Sequence, residues 1–310
     1  MLLTVLGILL ALYINTNNAN KRYEKQIDNN FVRVYHELEK NVENTRTIIE
    51  RLHTKDSLIH LVMHDSIDAK DYPQNFELAY LIINYHNLVL ENKAYQNLIE
   101  LNTSEKSYQD SLLSSLKELY SINEYITEAN TQATTFVYEV SLPLLGKKIA
   151  SFGDLTYKSQ IKKDAIDYFT NDEEYKSYVS QYAIIAIKNQ LRHNQSFLKE
   201  AQIVLDQIEK NYEIEPSLAS FLEADSVQAY LGEYQFAQAR DTMSVQFKND
   251  SLYLLLSSNM KLDLVPISRD RFFTDNEGLG YFVTFNKKTD KPHLRLSALS
   301  INYTYEKIDP

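Results

Sequence analysis

Apolar residues along the chain follow two different rhythms. From Asn20 to Met63 they recur at alternating steps of four and three, at Ile27, Phe31, Val34 and Leu38 and again at Thr45, Ile48 and Leu52. Asn41 and Thr45 set polar groups into the stripe. This spacing predicts one long helix with a heptad-like seam. Pro73 disfavours helix at Tyr72 and breaks the pattern. A second helix is predicted over 75–101, carrying Phe76, Tyr80, Ile83, Leu90, Tyr95 and Leu98. A third, with Thr103 or Ser104 as its N-cap, carries Tyr108, Leu112, Leu116, Leu119 and Tyr120 towards Leu142, ahead of Pro143. Gly146 and Gly153 bracket a loop or short strand. A fourth helix runs from Asp172 to Tyr212 on Ile184, Ile187, Leu191, Leu198, Leu205 and Ile208, and Pro216 closes the region. Four amphipathic segments bury their stripes against one another, which predicts an antiparallel four-helix bundle over 20–216.

From Leu222 the period shortens. Seven runs read as strands: 230–236, 243–247, 252–256, 261–265, 281–285, 293–297 and 302–308. Asn249-Asp250 and Lys287-Lys-Thr-Asp290 are hairpin-turn signals between them. Val245 with Phe247, Leu262 with Leu264, and Leu294 with Leu296 alternate with polar neighbours, the mark of one buried and one wet face. A small antiparallel barrel or sandwich over 223–310 follows, and the fold class is α+β. This stretch is similar to the β module that follows serine beta-lactamase-like hydrolases, through Tyr230-Leu-Gly-Glu-Tyr234, Leu252, Leu264-Val-Pro-Ile-Ser268, Phe272, Phe282, Phe285 and Glu306-Lys-Ile308. The resemblance implies an accessory domain and not a catalyst.

The first fourteen residues are apolar apart from Thr4 and Gly7. A spanning helix takes ~20 apolar residues, whereas fourteen reach only ~21 Å. No Lys or Arg precedes the run and no small-x-small site follows it, which argues against a signal peptide. A core helix would show a polar stripe. The expectation is therefore a membrane anchor over 1–19, contacting the bilayer through residues 1–14. Ile8 to Arg22 resembles the membrane exit of an uncharacterised bacterial family of single-span membrane proteins, which reads I-N-x-W-N-E-x-R/K there. Asn17 and Ala19 stand where that family has Trp and Glu. The resemblance extends loosely to about residue 215 and implies a longer native span behind a basic tail, with Met1 an internal start. It also implies a bacterial inner-membrane location. Lys21, Arg22 and Lys25 alone would place the body in the cytoplasm; the family's basic tail reverses this and puts it in the periplasm.

Composition removes several chemistries. The 310 residues carry a net charge of −10, which disfavours a nucleic-acid partner. With no cysteine there is no disulfide, thiolate metal site or thiol nucleophile. Glycine stands at only six positions, too few and too scattered for a phosphate loop or nucleophile elbow. Ser-x-x-Lys occurs at Ser114, Ser159, Ser196 and Ser258, but no Lys-Thr-Gly accompanies it, so these are read as solvated faces. Glu50-Arg-Leu-His53 is the lone Glu-x-x-His, half of what a di-iron bundle needs.

Two weak sites remain. His60 and His64 share a helical face and could begin a zinc site, although a structural zinc wants four ligands. Tyr234, Phe236, Tyr253, Phe282 and Phe285 could line a cavity in the β module for a lipid or glycan, though small barrels usually fill themselves. No cofactor is expected. The preferred expectation is a membrane-tethered, non-enzymatic envelope protein with a sensing, scaffolding or protein-interaction role. Its partners would be other envelope proteins and, through the 20–63 seam, a second copy of the chain. Ligand binding in the β module is the alternative, and a serine-hydrolase relative is the third reading.

Overall fold

A computed structural model describes residues 2–101, 107–214, 227–236, 241–248, 251–258, 260–268, 270–274, 281–286, 292–298 and 301–308. The chain is α+β: helices to Tyr212, then an eight-stranded antiparallel β-barrel. It divides into two compact units, one of Met1–Glu43, Leu90–Ser121 and Glu200–Ser217, the other of Asn44–Val89, Ile122–Lys199 and Leu218–Pro310.

The predicted first helix exists but is longer than expected. α1 runs unbroken from Leu2 to Met63, through the expected anchor segment and on into the body. No helix among the described residues is long and apolar enough to cross a membrane, and the expected membrane helix is not supported at that level. In the first unit, the α1 seam residues Ile27, Phe31, Val34 and Leu38 are 0–3% exposed. α3 (Lys93–Glu100), the start of α4 (Ser107–Thr135) and the end of α9 (Asn189–Tyr212) supply the other buried residues, among them Leu98, Leu112, Leu116 and Ile208. Phe31 stacks on Tyr212 at 5.3 Å, and the Tyr35 hydroxyl donates to Glu209 Oε1 at 2.9 Å. The seam is thus consumed inside the chain.

The predicted helix over 75–101 is replaced by α2 (Phe76–Ala79), turns, a stretch over 84–92 that is neither helix nor strand, and α3. The reason is side-chain capture of its backbone, which removes the need for helical bonds. In the second unit the Tyr182 hydroxyl donates to Asn84 O (2.7 Å), Gln190 Nε2 to His86 O (2.9 Å) and Asn130 Nδ2 to Leu88 O (2.7 Å). In the first unit the fully buried Asn41 pairs with Glu91 in both directions, donating to its O at 2.7 Å and accepting from its N at 2.9 Å. The polar group that interrupted the α1 stripe therefore substitutes for a strand partner.

The third helix does not end at Leu142. α4 passes through a π-helical turn (Phe136–Ser141) into α5 (Leu142–Lys148). The widened turn accommodates Pro143, which lacks an N–H and would clash in a tight α-helix. Gly146 lies in α5 and Gly153 in α6 (Phe152–Lys158); between them runs a loop over 149–151, not a strand. The fourth helix stands as α8 (Glu173–Tyr182), a second π turn (Ala183–Lys188) and α9, preceded by α7 (Lys163–Asn171). Thr103, Ser104, Pro216 and both hairpin-turn signals lie outside the described residues.

The strands are β1 (Gly232–Phe236), β2 (Thr242–Lys248), β3 (Ser251–Leu256), β4 (Lys261–Ser268), β5 (Arg271–Thr274), β6 (Phe282–Asn286), β7 (His293–Ala298) and β8 (Ile301–Lys307). All seven predicted strands are present, and β5 is additional. Each strand pairs with the next, and β8 returns to β1 through Tyr234↔Lys307 and Phe236↔Tyr305. Gly232, at φ +134°, opens β1; a Cβ there would lie 3.0 Å from Lys307 Cε. Val245, Leu254, Phe272, Val283 and Leu294 are 0–2% exposed and pack inside the barrel.

Candidate functional site

The five aromatic residues singled out in the β module do not converge. Tyr234 and Phe285 belong to the barrel core, with rings 6.3 Å apart, and the Tyr234 hydroxyl is satisfied by Tyr230 O at 2.8 Å. Phe236 is partly buried against that core and touches Tyr303 and Tyr305. Tyr253 donates to Gln246 Oε1 at 2.9 Å, and Lys261 Nζ lies 4.5 Å from its ring centre. Phe282 packs against the imidazole of His53 at 4.0 Å. Strand alternation divides these residues between two faces.

His60 and His64 do meet, with ring centres 4.1 Å apart. His64 Nδ1 is 2.9 Å from His60 O, so that nitrogen is engaged by the helix itself. Burial and the neighbouring His64 lower the His60 pKa. Among the described residues no group of three or more His, Cys, Asp or Glu could hold a metal ion.

The lone Glu-x-x-His acquires a different use within the second unit. Glu50 and His53 sit one turn apart on α1 and both meet Arg271 of β5. The Arg271 guanidinium donates to His53 Nδ1 at 2.8 Å, and Glu50 Oε1 lies 3.6 Å from the same group. A guanidinium can only donate, so His53 Nδ1 accepts and the proton resides on Nε2, 3.2 Å from Ser297 Oγ. Burial, with the Arg271 and Arg295 charges, lowers the His53 pKa to about 4. His53 is thus a neutral latch between α1 and the outer face of β5, β6 and β7. Sequence reasoning missed it because Arg271 lies in the strand it did not find.

One opening lies in the first unit, between α1 and α3. It is a groove of about 630 Å³. Arg22, Lys25 and Arg33 supply cationic groups on α1. Gln26, Asn29 and Asn30 lie between them, Asn97 faces from α3, and Glu100 is its one carboxylate among the described residues. The steps from Arg22 to Gln26, Asn29 or Asn30, and Arg33 are three or four residues, so these side chains share one helical face. The walls are fixed in place. Tyr23 Oη donates to Leu101 O at the end of α3. At its other end, Glu37 accepts from the exposed N–H groups of Ala94 (2.7 Å) and Tyr95 (3.2 Å) and from the Tyr120 hydroxyl (2.9 Å). A carboxylate against a helix N-terminus is doubly favourable, through hydrogen bonding and through the helix dipole. The available signal was the amide-rich repeat between Arg22 and Arg33, which periodicity treats as a wet face.

No family model, curated protein or solved structure matches the chain. The likeness to a single-span family and to a hydrolase-associated β module therefore rests on the residues quoted above.

Proposed function

We propose that the protein is a membrane-tethered, non-catalytic envelope protein that works by contact, its body on the periplasmic side of a bacterial inner membrane. One observation carries the tether. Leu6, Leu9, Leu10, Leu12, Tyr13 and Ile14 are 49–70% exposed on α1. Positions 8–14 are all apolar, and at about 100° per residue seven consecutive positions surround the helix, so no polar stripe remains for water. A helix apolar all round is at home in a protein core or in lipid; these six side chains are covered by no core. The run is too short to span at full thickness, and local thinning or tilt of the bilayer accommodates short apolar stretches at modest cost.

Flotation on neutral phosphatidylcholine vesicles tests the reading. The full chain is expected to rise with the vesicles after a carbonate wash, and a chain lacking residues 2–14 to stay behind with its helical circular dichroism otherwise intact. Equal flotation of both, or of neither, removes the tether. Labelling of the purified protein by a fluorophosphonate would remove the non-catalytic half of the proposal.

A further inference from the structure

We infer that the groove between α1 and α3 binds a phosphorylated, hydroxyl-rich anion of the glycan-phosphate or inositol-phosphate type. The inference goes beyond the tether reading, and the two fail separately.

Charge points to the anion. In a chain of net charge −10, Arg22, Lys25 and Arg33 gather at one opening, and among the described residues none of the three is held in an ion pair. Guanidinium groups suit phosphate because their parallel N–H groups match two phosphate oxygens. A single inorganic anion would use only one end of the site. Arg22 and Arg33 are separated by eleven residues, about 16 Å along the helix, and amide side chains occupy the distance between them.

Asn30 points to the hydroxyls. It is only 6% exposed and lines the groove. Its Nδ2 donates to Gln26 O at 2.9 Å, while its Oδ1 is buried with no hydrogen-bond partner. Buried acceptors are nearly always satisfied, and this one, shut off from the groove as it stands, gains a partner when the amide turns outward to meet a ligand hydroxyl. A phosphate at neutral pH offers few donors; a sugar or inositol ring offers several. Gln26, Asn29 and Asn97 each present both a donor and an acceptor, which suits vicinal hydroxyls. At about 630 Å³ the groove is within the ordinary range for a small-molecule site.

The same chemistry exists as a free sugar phosphate and as a lipid headgroup, and the test separates them. The full chain in detergent solution, without lipid, is titrated with inositol 1-phosphate by calorimetry. In parallel, hydrogen exchange over residues 22–33 is compared in nanodiscs with and without phosphatidylinositol. Saturable binding in either arm supports the site; binding in the first alone names a soluble ligand, and protection in the second alone names a headgroup. Arg33→Gln, an exposed position where folding is not at risk, is expected to weaken binding about tenfold. Asn30→Leu should do likewise, and Glu100→Gln should tighten it by removing a like charge. The inference is overturned if neither arm responds, if Arg33→Gln leaves affinity unchanged, or if inorganic phosphate binds as well as inositol 1-phosphate. Failure of vesicle flotation, by contrast, would strike only the tether and leave the calorimetric arm standing.

Discussion

At the scale of single residues, two buried bases carry testable pH behaviour. His53 is neutral in the fold because Arg271 already donates to one ring nitrogen and burial penalises charge. Its folded pKa of about 4 lies below the ordinary 6.5. Between these values the unfolded chain binds more protons, so the stabilisation is complete above pH 6.5 and is lost as pH falls towards 4. Urea unfolding followed across that window should show a fall of up to about 3 kcal/mol, and His53→Gln should flatten it. Lys55 is 5% exposed, donates to Asn84 O and to the Tyr182 hydroxyl at 2.8 Å, and is lowered by burial to about 7. Here the charged form carries a desolvation cost below pH 7 that is relieved as pH rises towards 10.5. Tyr182 already donates to Asn84 O, so Lys55→Met orphans no acceptor there. It should unfold at equal or higher urea than the parent at pH 6 and lack the parent's alkaline gain.

At the scale of elements, legibility followed the source of the order. The α1 seam and the alternating strands were readable because their residues bury against the nearest available face, and Val34 or Leu294 needs no distant partner to be recognised as apolar. The stretch over 84–92 was not readable, since it stays out of helix where Asn41, Asn130, Tyr182 and Gln190 take its backbone groups from far along the chain. Asn41→Leu removes both bonds to Glu91 and should cost about 2–4 kcal/mol, with faster hydrogen exchange at the Glu91 amide as the local signature. β5 escaped notice because Phe272, Phe273 and Thr274 are all buried, which erases alternation. The groove escaped because its two walls are some seventy residues apart in sequence. Gly232 shows the converse, a residue whose role is visible only as geometry. Gly232→Ala combines a left-handed backbone with a 3.0 Å contact to Lys307, and a destabilisation of about 2 kcal/mol is expected, read by thermal melting of the barrel's near-ultraviolet signal.

At the scale of the whole molecule, Ile27, Phe31, Val34 and Leu38 of the heptad seam expected to pair two copies are 0–3% exposed within a single chain. A detergent-solubilised preparation should therefore scatter light as a monomer, and a Phe31→Asp substitution should unfold the first unit where a dimer contact would merely have dissociated. The barrel sets a further limit on association. Because β8 closes onto β1, every described strand already has two hydrogen-bonded neighbours and none is a sheet edge. No foreign peptide can join by lengthening the sheet, the commonest way extended segments gain affinity without regard to their side chains. Whatever docks there has to read outward-facing groups such as Tyr253 and Lys261 one by one, which trades promiscuous stickiness for discrimination.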